Sequence, residues 1–185
     1  MKTNIGVFFG GRSTEHEISV ISANQAINAI DKTKYNVIPV YVTKEGRWFT
    51  GDALLDLKNY RDMKAIEKMA EEVYMRPVFG DYNLYYTKPK GFMGKKNVAA
   101  SIDVVIPVFH GANGEDGTFQ GILQAIDIPF AGCDTLSSAN GMDKITMKMI
   151  LRENDIPVVD YVWFTDRQWF AQRDELIARV EKEIG

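Results

Sequence analysis

The stretch that most limits what this chain can fold into runs from Ile102 to Phe109, where almost every residue is apolar and β-branched types dominate. Such a run reads as a buried strand. From Phe119 the apolar residues fall at Phe119, Ile122, Leu123 and Ile126, a helical period. The spacing predicts a helix from Asp116 to about Ala125. Between strand and helix lie His110 to Gly117, with three glycines (Gly111, Gly114, Gly117) and three ionisable residues (His110, Glu115, Asp116) in eight positions. A glycine-rich loop at the carboxyl end of a strand permits close backbone approach, and open α/β sheets bind ligands at that edge.

The same order appears at the amino terminus. Ile5 to Phe9 is a strand candidate ending at Gly10-Gly11, and a helix is expected from about Glu15 to Ile30 with Ile18, Ile21, Ala26, Ile27 and Ile30 on its apolar face. Thr14 and Glu17 have the spacing of a capping box. The glycine pair does not match the GxGxxG dinucleotide pattern.

Further strands are expected at Val37 to Val42, with a turn through Lys44 to Gly46 and a return strand, and at Ile128 to Ala131. Gly51 to Asn97 reads as an elaboration between core units, with a helix over Tyr60 to Glu72 and strands at Val73 to Val78 and Tyr82 to Tyr86. A short helix over Thr135 to Asn140 is expected to break at Gly141. The alternation predicts an α/β fold with a mostly parallel, layered sheet. Right-handed crossovers then bring Gly10-Gly11 and His110 to Gly117 to one sheet edge. A second unit begins near Met142, with a helix through Ile150, a strand at Val158 to Phe164 and a helix at Arg167 to Glu183. A helix, one strand and a helix close no core, so this unit is expected to be part of a larger domain.

Composition narrows the class of function. A formal net charge of -3 offers no basic field for nucleic acid or anionic membrane, and no apolar run reaches spanning length. The single cysteine, Cys133, excludes an intrachain disulfide, and two histidines cannot build a multi-histidine metal site. A reducing compartment is the expectation.

Glu15 lies at a helix start, where a carboxylate compensates the dipole or holds a substrate ammonium. Arg12 and Ser13 share its turn and could meet an anion or solvent. His110 reads equally as a proton carrier, an anion donor or a residue satisfying a carbonyl. His16 is expected to be exposed. Glu115 and Asp116 read as a ligand-facing acid and a helix cap, or as loop stabilisers. Lys144, at the start of the next helix, reads as a phosphate contact or a surface lysine, with Asp143 as a cap and Lys148 four residues on.

His110-Gly-Ala-Asn-Gly-Glu-Asp-Gly-Thr-Phe-Gln-Gly121 closely resembles a signature of the D-alanine–D-alanine ligases. Phe9-Gly-Gly-Arg-Ser-Thr-Glu-His-Glu-Ile-Ser19 and Ser138-Ala-Asn-Gly-Met-Asp-Lys144 resemble the family's amino-terminal motif and the entry to its ATP-binding domain. The resemblance implies a Rossmann-like domain over residues 1–140, preceding an ATP-grasp domain whose incomplete start is 141–185. It implies ligation of two D-alanines through an acyl phosphate for peptidoglycan, with ATP and Mg2+ (or Mn2+), in a cytoplasmic homodimer joined through this domain. Glu15 would orient the ammonium of the first D-alanine, His110 would lie beside it, and Lys144 would contact ATP phosphate. Gly10, Gly11, Ser13, Gly111, Gly114, Glu115, Asp116 and Gly117 would shape the site. The family's phosphate loop, substrate loop and metal ligands would lie beyond residue 185, so the isolated chain is expected to be inactive. D-serine or D-lactate as acceptor, another ATP-grasp ligase, or a non-catalytic dimerising module are the alternatives.

Overall fold

The computed structural model describes residues 2–91 and 96–185. The chain forms two compact units, Met1–Ala139 and Asn140–Gly185. In the first, β1 (Thr3–Gly10), α1 (His16–Ala29), β2 (Tyr35–Val42) and β3 (Trp48–Thr50) are followed by 3₁₀ segments at Asp52–Leu55 and Leu57–Arg61 and by α2 (Met63–Met69). Then come β4 (Glu71–Met75), β5 (Asn83–Lys90), β6 (Lys96–Ser101), β7 (Val104–Phe109) and α3 (Thr118–Ile126), and α4 (Thr135–Met142) spans the division between the units.

The seven strands form one sheet in the order β6-β5-β4-β3-β2-β1-β7. Its β2-β1-β7 side is parallel, as the alternating pattern predicts. The expectation of a mostly parallel sheet does not extend further: β3, β4, β5 and β6 continue it by antiparallel pairing. Short turns, such as the one at Lys44 to Gly46, permit only antiparallel neighbours, whereas α1 supplies the long crossover that parallel pairing needs. The elaboration after Gly51 is thus the other half of the same sheet. Ile128 to Ala131 forms only an isolated parallel bridge, Phe130 to Val105.

Side-chain alternation along the strands makes two cores. Ile5, Val7 and Phe9 face one side with Val20, Ala23 and Ile27 of α1, together with Leu54, Tyr60 and Ile66. Phe8, Ile38, Val40 and Val42 face the other, against Phe119, Leu123 and Ile126 of α3. Phe8 packs on Phe119 with ring centroids 5.2 Å apart, and Phe109 on Phe119 at 4.8 Å.

Several local expectations are corrected. Helix α1 begins at His16 and has no side-chain cap; Glu17, instead of closing a box with Thr14, pairs with Lys44 at 2.6 Å. The buried face of α1 is His16, Ser19, Val20, Ala23 and Ile27, while Ile18 and Ile21 are exposed. Apolar residues on both sides of the helix made the periodicity ambiguous. The helix expected over Tyr60 to Glu72 is divided at Asp62, whose side chain accepts from the Lys64 and Ala65 amides and starts α2 afresh. Gly141 lies inside α4, a cost of about 1 kcal/mol that a helix tolerates.

The β4–β5 connection is held by a polar cluster. Arg76 Nε donates to Asp81 Oδ2 at 2.6 Å, Arg76 also donates to the Tyr85 hydroxyl, and that hydroxyl donates to the Asp81 carboxylate. Burial opposes ionisation of Asp81, but Arg76, Tyr85 and Asn83 outweigh it and hold the carboxyl below its ordinary value.

The second unit contains α5 (Lys144–Glu153) and α6 (Asp166–Glu183). Asp143 Oδ1 caps α5 by accepting from the Thr146 amide at 2.7 Å, and Thr165 with Gln168 forms a capping box at α6. Lys148 lies over the Tyr161 ring, 4.5 Å from its centroid. The strand expected at Val158 to Phe164 is not formed, for no described segment pairs with it. Among the described residues of this unit only Leu176 is a buried apolar side chain, and Phe170 is 85% exposed.

Two outcomes follow. Asp81→Asn is expected to lower the melting temperature at pH 7 by about 3–8 °C. Because the folded-state pKa is depressed, the stabilisation is present above the unfolded carboxylate value of about 4 and is lost as pH falls through the folded one. Thermal melts across pH should therefore show the gap closing on acidification; a gap independent of pH would contradict the cluster's role. Hydrogen exchange should be at least about tenfold faster in α5 and α6 than in β1, β2 and β7, and equal protection would contradict the assignment of the core.

Candidate functional site

Strands β1 and β7 are parallel neighbours in register, with Gly10 opposite Phe109. The chain therefore leaves both strands at one level of the sheet. From β1 it passes through Gly11 to Glu15 into α1, and from β7 through His110 to Gly117 into α3.

A buried hydroxyl fixes this junction. Ser19 Oγ, on α1, accepts from the Gly10 amide at 2.7 Å and donates to the Val108 carbonyl at 2.5 Å. The Gly11 amide donates to Val42 O at 2.8 Å, which joins the turn to β2. Gly10 has φ +90°, and a Cβ there would lie 2.3 Å from Val42 O, so no larger residue fits. Across the gap, Asn113 Nδ2 donates to Arg12 O at 3.1 Å.

The acidic groups converge over Gly111. A Cβ at this position would lie 2.6 Å from both Glu15 Oε2 and Ser13 Oγ, and the residue has φ +76°. Ser13 Oγ also accepts from the Glu15 amide at 3.0 Å. On its other side the Gly111 amide donates to Glu115 Oε2 at 2.6 Å. Glu115 Oε1 is 4.0 Å from His110 Nδ1, and His110 Nε2 is 2.9 Å from Ser22 Oγ of α1. The arrangement is a carboxylate and a hydroxyl meeting above a side-chain-free backbone, with an imidazole next in the chain.

Asp116 closes the loop below. Its carboxylate accepts from the Asn113 amide at 2.8 Å and the Thr118 amide at 3.0 Å. Burial works against ionisation, but these amides prevail and hold the carboxyl below its ordinary value. Gly114 is packed so closely that a Cβ would lie 2.2 Å from Phe109 Cβ, and Gln120 Nε2 donates to its carbonyl at 2.8 Å. Gly117 is the N-cap of α3.

The sheet edge thus brings together Gly10, Gly11, Ser13, Glu15, His110, Gly111, Gly114, Glu115, Asp116 and Gly117. Lys144 belongs to the second unit, where it is the exposed first residue of α5. His16 is the principal reversal: expected at the surface, it is 1% exposed, with Nδ1 2.7 Å from Gly11 O and Nε2 2.9 Å from the Tyr41 hydroxyl. Ser22 was missed, although it lies two helical turns beyond Glu15 and so on the same side of α1. Among the described residues no group of three or more His, Cys, Asp or Glu side chains could hold a metal ion. Chemically, the exposed Glu15 carboxylate beside a hydroxyl suits an ammonium.

These features define an α/β domain with an acidic edge between two glycine-built loops. Residues 4–133 match the family model described as the D-ala D-ala ligase N-terminus. The chain is 43% identical over 182 residues to the D-alanine–D-alanine ligase of Thermosipho melanesiensis, across 98% of this chain and 47% of that protein. It superposes on the D-alanine–D-alanine ligase from Coxiella burnetii with TM-score 0.78 and 33% identity, over 96% of this chain and 49% of that one. The VanG D-Ala:D-Ser ligase from Enterococcus faecalis gives 0.75 and 32%, over 97% and 50% respectively. The chain belongs to the D-alanine–D-alanine ligase family, and the part it shares with these relatives is the N-terminal half. It spans about half the length of the curated relatives it matches.

Gly111→Ala is expected to drive the Glu15 and Ser13 side chains apart and to cost about 1–3 kcal/mol, since it combines a close contact with a left-handed backbone. Chemical denaturation measures the cost, and amide shifts at Ser13 and Glu15 report the displacement. A variant of unchanged stability and spectrum would show that the two loops do not meet there.

Proposed function

We propose that this chain supplies the first-substrate wall of an ATP-dependent ligase that joins D-alanine to a second D-amino or D-hydroxy acid for peptidoglycan precursors. One observation carries the reading: the Glu15 carboxylate and the Ser13 hydroxyl converge over Gly111, at the edge where β1 and β7 end. The ammonium of D-alanine binds between these oxygens, a charge-assisted contact that orients the amino acid. His110, held by Ser22 and facing Glu115, lies beside the bound amino acid. ATP supplies the phosphoryl group that activates the D-alanine carboxylate, and attack by the second substrate releases ADP and phosphate. Lys144, solvent-exposed at the start of α5, is suited to a phosphate oxygen. The described residues do not present a magnesium site, so this reading assigns Mg2+ to residues outside them and routes no step through it. Residues 141–185 are read as the start of the ATP-grasp domain, and assembly as a cytoplasmic homodimer through the first unit. The nearly equal likeness to a D-Ala:D-Ser ligase means that the reading fixes the donor and not the acceptor.

The test begins with binding. Titration with D-alanine is expected to shift the Glu15 and Gly111 amides, L-alanine to shift them less, and Glu15→Gln to weaken D-alanine binding by at least about tenfold. Joined to the C-terminal half of the Thermosipho melanesiensis ligase, the chain is expected to release phosphate from ATP in response to D-alanine. There Glu15→Gln should raise KM for D-alanine and leave KM for ATP in place. Absence of both D-alanine binding and D-alanine-dependent phosphate release from a folded protein would sink the reading.

A further inference from the structure

Glu15 is positioned by more than its helix, whose first bond runs from the Ser19 amide to the Glu15 carbonyl at 3.0 Å. It occupies the N-cap of α1 without a side-chain cap, and its side chain is exposed. The backbone that carries it is closed into a small ring by the next residue: His16 reaches back five positions and meets the Gly11 carbonyl at 2.7 Å. Arg12, Ser13, Thr14 and Glu15 are all contained in that ring. The imidazole is wholly buried, and a Cβ on Gly10 would lie 3.0 Å from His16 Cε1 and 3.0 Å from Tyr41 Cε2. Only a glycine at position 10 lets the two rings in beneath the turn.

The partners determine the proton. A carbonyl only accepts, so Nδ1 carries hydrogen toward Gly11 O. In the neutral ring Nε2 is then an acceptor, and the Tyr41 hydroxyl, 2.9 Å away, donates to it. Burial, with Glu67, Glu45 and Glu17 in the vicinity, pushes the Tyr41 phenol up, which keeps its proton available. Tyr41 itself is 2% exposed, on β2, with Phe9 and Tyr60 packed around its ring at 5.8 Å and 5.4 Å. Its hydroxyl is also 3.5 Å from Met63 Sδ, the weaker acceptor of the two.

We infer that His16 is a positioning residue for Glu15: with Tyr41 it forms a buried strut from β2 to the Gly11 carbonyl that holds the substrate-facing turn. This deepens the proposed function and rests on its assignment of Glu15 to the D-alanine ammonium. The strut fixes the backbone that carries the exposed carboxylate, at a helix start with no side-chain cap. The imidazole touches no substrate and acts only through the backbone it fixes.

The experiment compares His16→Leu, His16→Asn and Tyr41→Phe with the unsubstituted chain. Long-range nitrogen spectra of the imidazole are expected to show hydrogen on Nδ1 and none on Nε2, a signature that changes in Tyr41→Phe. His16→Leu keeps the bulk and loses the donor, so D-alanine affinity should fall about tenfold while sheet amides remain in place. Asn places an amide donor close to the Nδ1 position and should recover affinity to within about threefold of the unsubstituted chain. A folded His16→Leu form that binds D-alanine normally, an Asn form no better than Leu, or hydrogen on Nε2 would overturn the strut. Should His16→Leu not fold, the Asn and Tyr41→Phe variants decide by the same readouts. Weakened binding in Glu15→Gln with normal binding in His16→Leu refutes the strut alone. If the unsubstituted chain does not bind D-alanine, the functional reading fails separately, and the imidazole signature with the Gly11 to Glu15 amide shifts still decides the strut.

Discussion

The Ser19 hydroxyl is the contact on which the site's architecture depends. It is fully buried, and it joins α1 to the amide of Gly10 and the carbonyl of Val108, the last turns of β1 and β7. With Phe9 opposite Val108 and Gly10 opposite Phe109, the two backbone groups face one another across the strands, and the hydroxyl bridges them. Meeting them from the helix fixes the helix start relative to both strand ends. Glu15 and His110 then face a common space because the elements bearing them are tied to one oxygen.

Around that contact, polar burial and polar exposure are divided by depth. The buried groups, Ser19, His16 and Gln120, satisfy backbone atoms and face no solvent. Above them the acids Glu15 and Glu115 are exposed, and Gly111 is the buried backbone between them. The division follows from solvation, since a carboxylate with no partner is costly to bury. The sheet is asymmetric in a similar way. Its parallel strands bring the two loops together, and its antiparallel strands widen the platform without adding to the edge.

Much of this was legible in the sequence, for definite reasons. The β-branched run before His110 and the glycine spacing after it specify a strand, a loop and a helix, and β1 with Gly10-Gly11 repeats the order. Two such units in parallel crossover put both loops at one edge, as β1 and β7 do. What stayed hidden depended on long-range contacts. His16 looked like a surface residue because its partner Tyr41 is distant in the chain, on β2. Glu17 had the spacing of a capping residue, yet Lys44 on a different turn binds it. The antiparallel half could not be inferred from apolar runs alone, because strand direction depends on connection length and pairing. The strand expected after Pro157 failed for want of a neighbour: propensity alone does not make a ladder.

The empty space at Gly111 also has a consequence for sequence change. Ser13 and Glu15 approach it from a segment far away in the chain, and each closes on a point that a methyl group would occupy. The three positions are consequently one mutational unit. A side chain at 111 meets the acid, the hydroxyl and a left-handed backbone at once, so shortening either group alone removes only part of the cost. The site is thus guarded against gradual alteration by a volume that contains no atom.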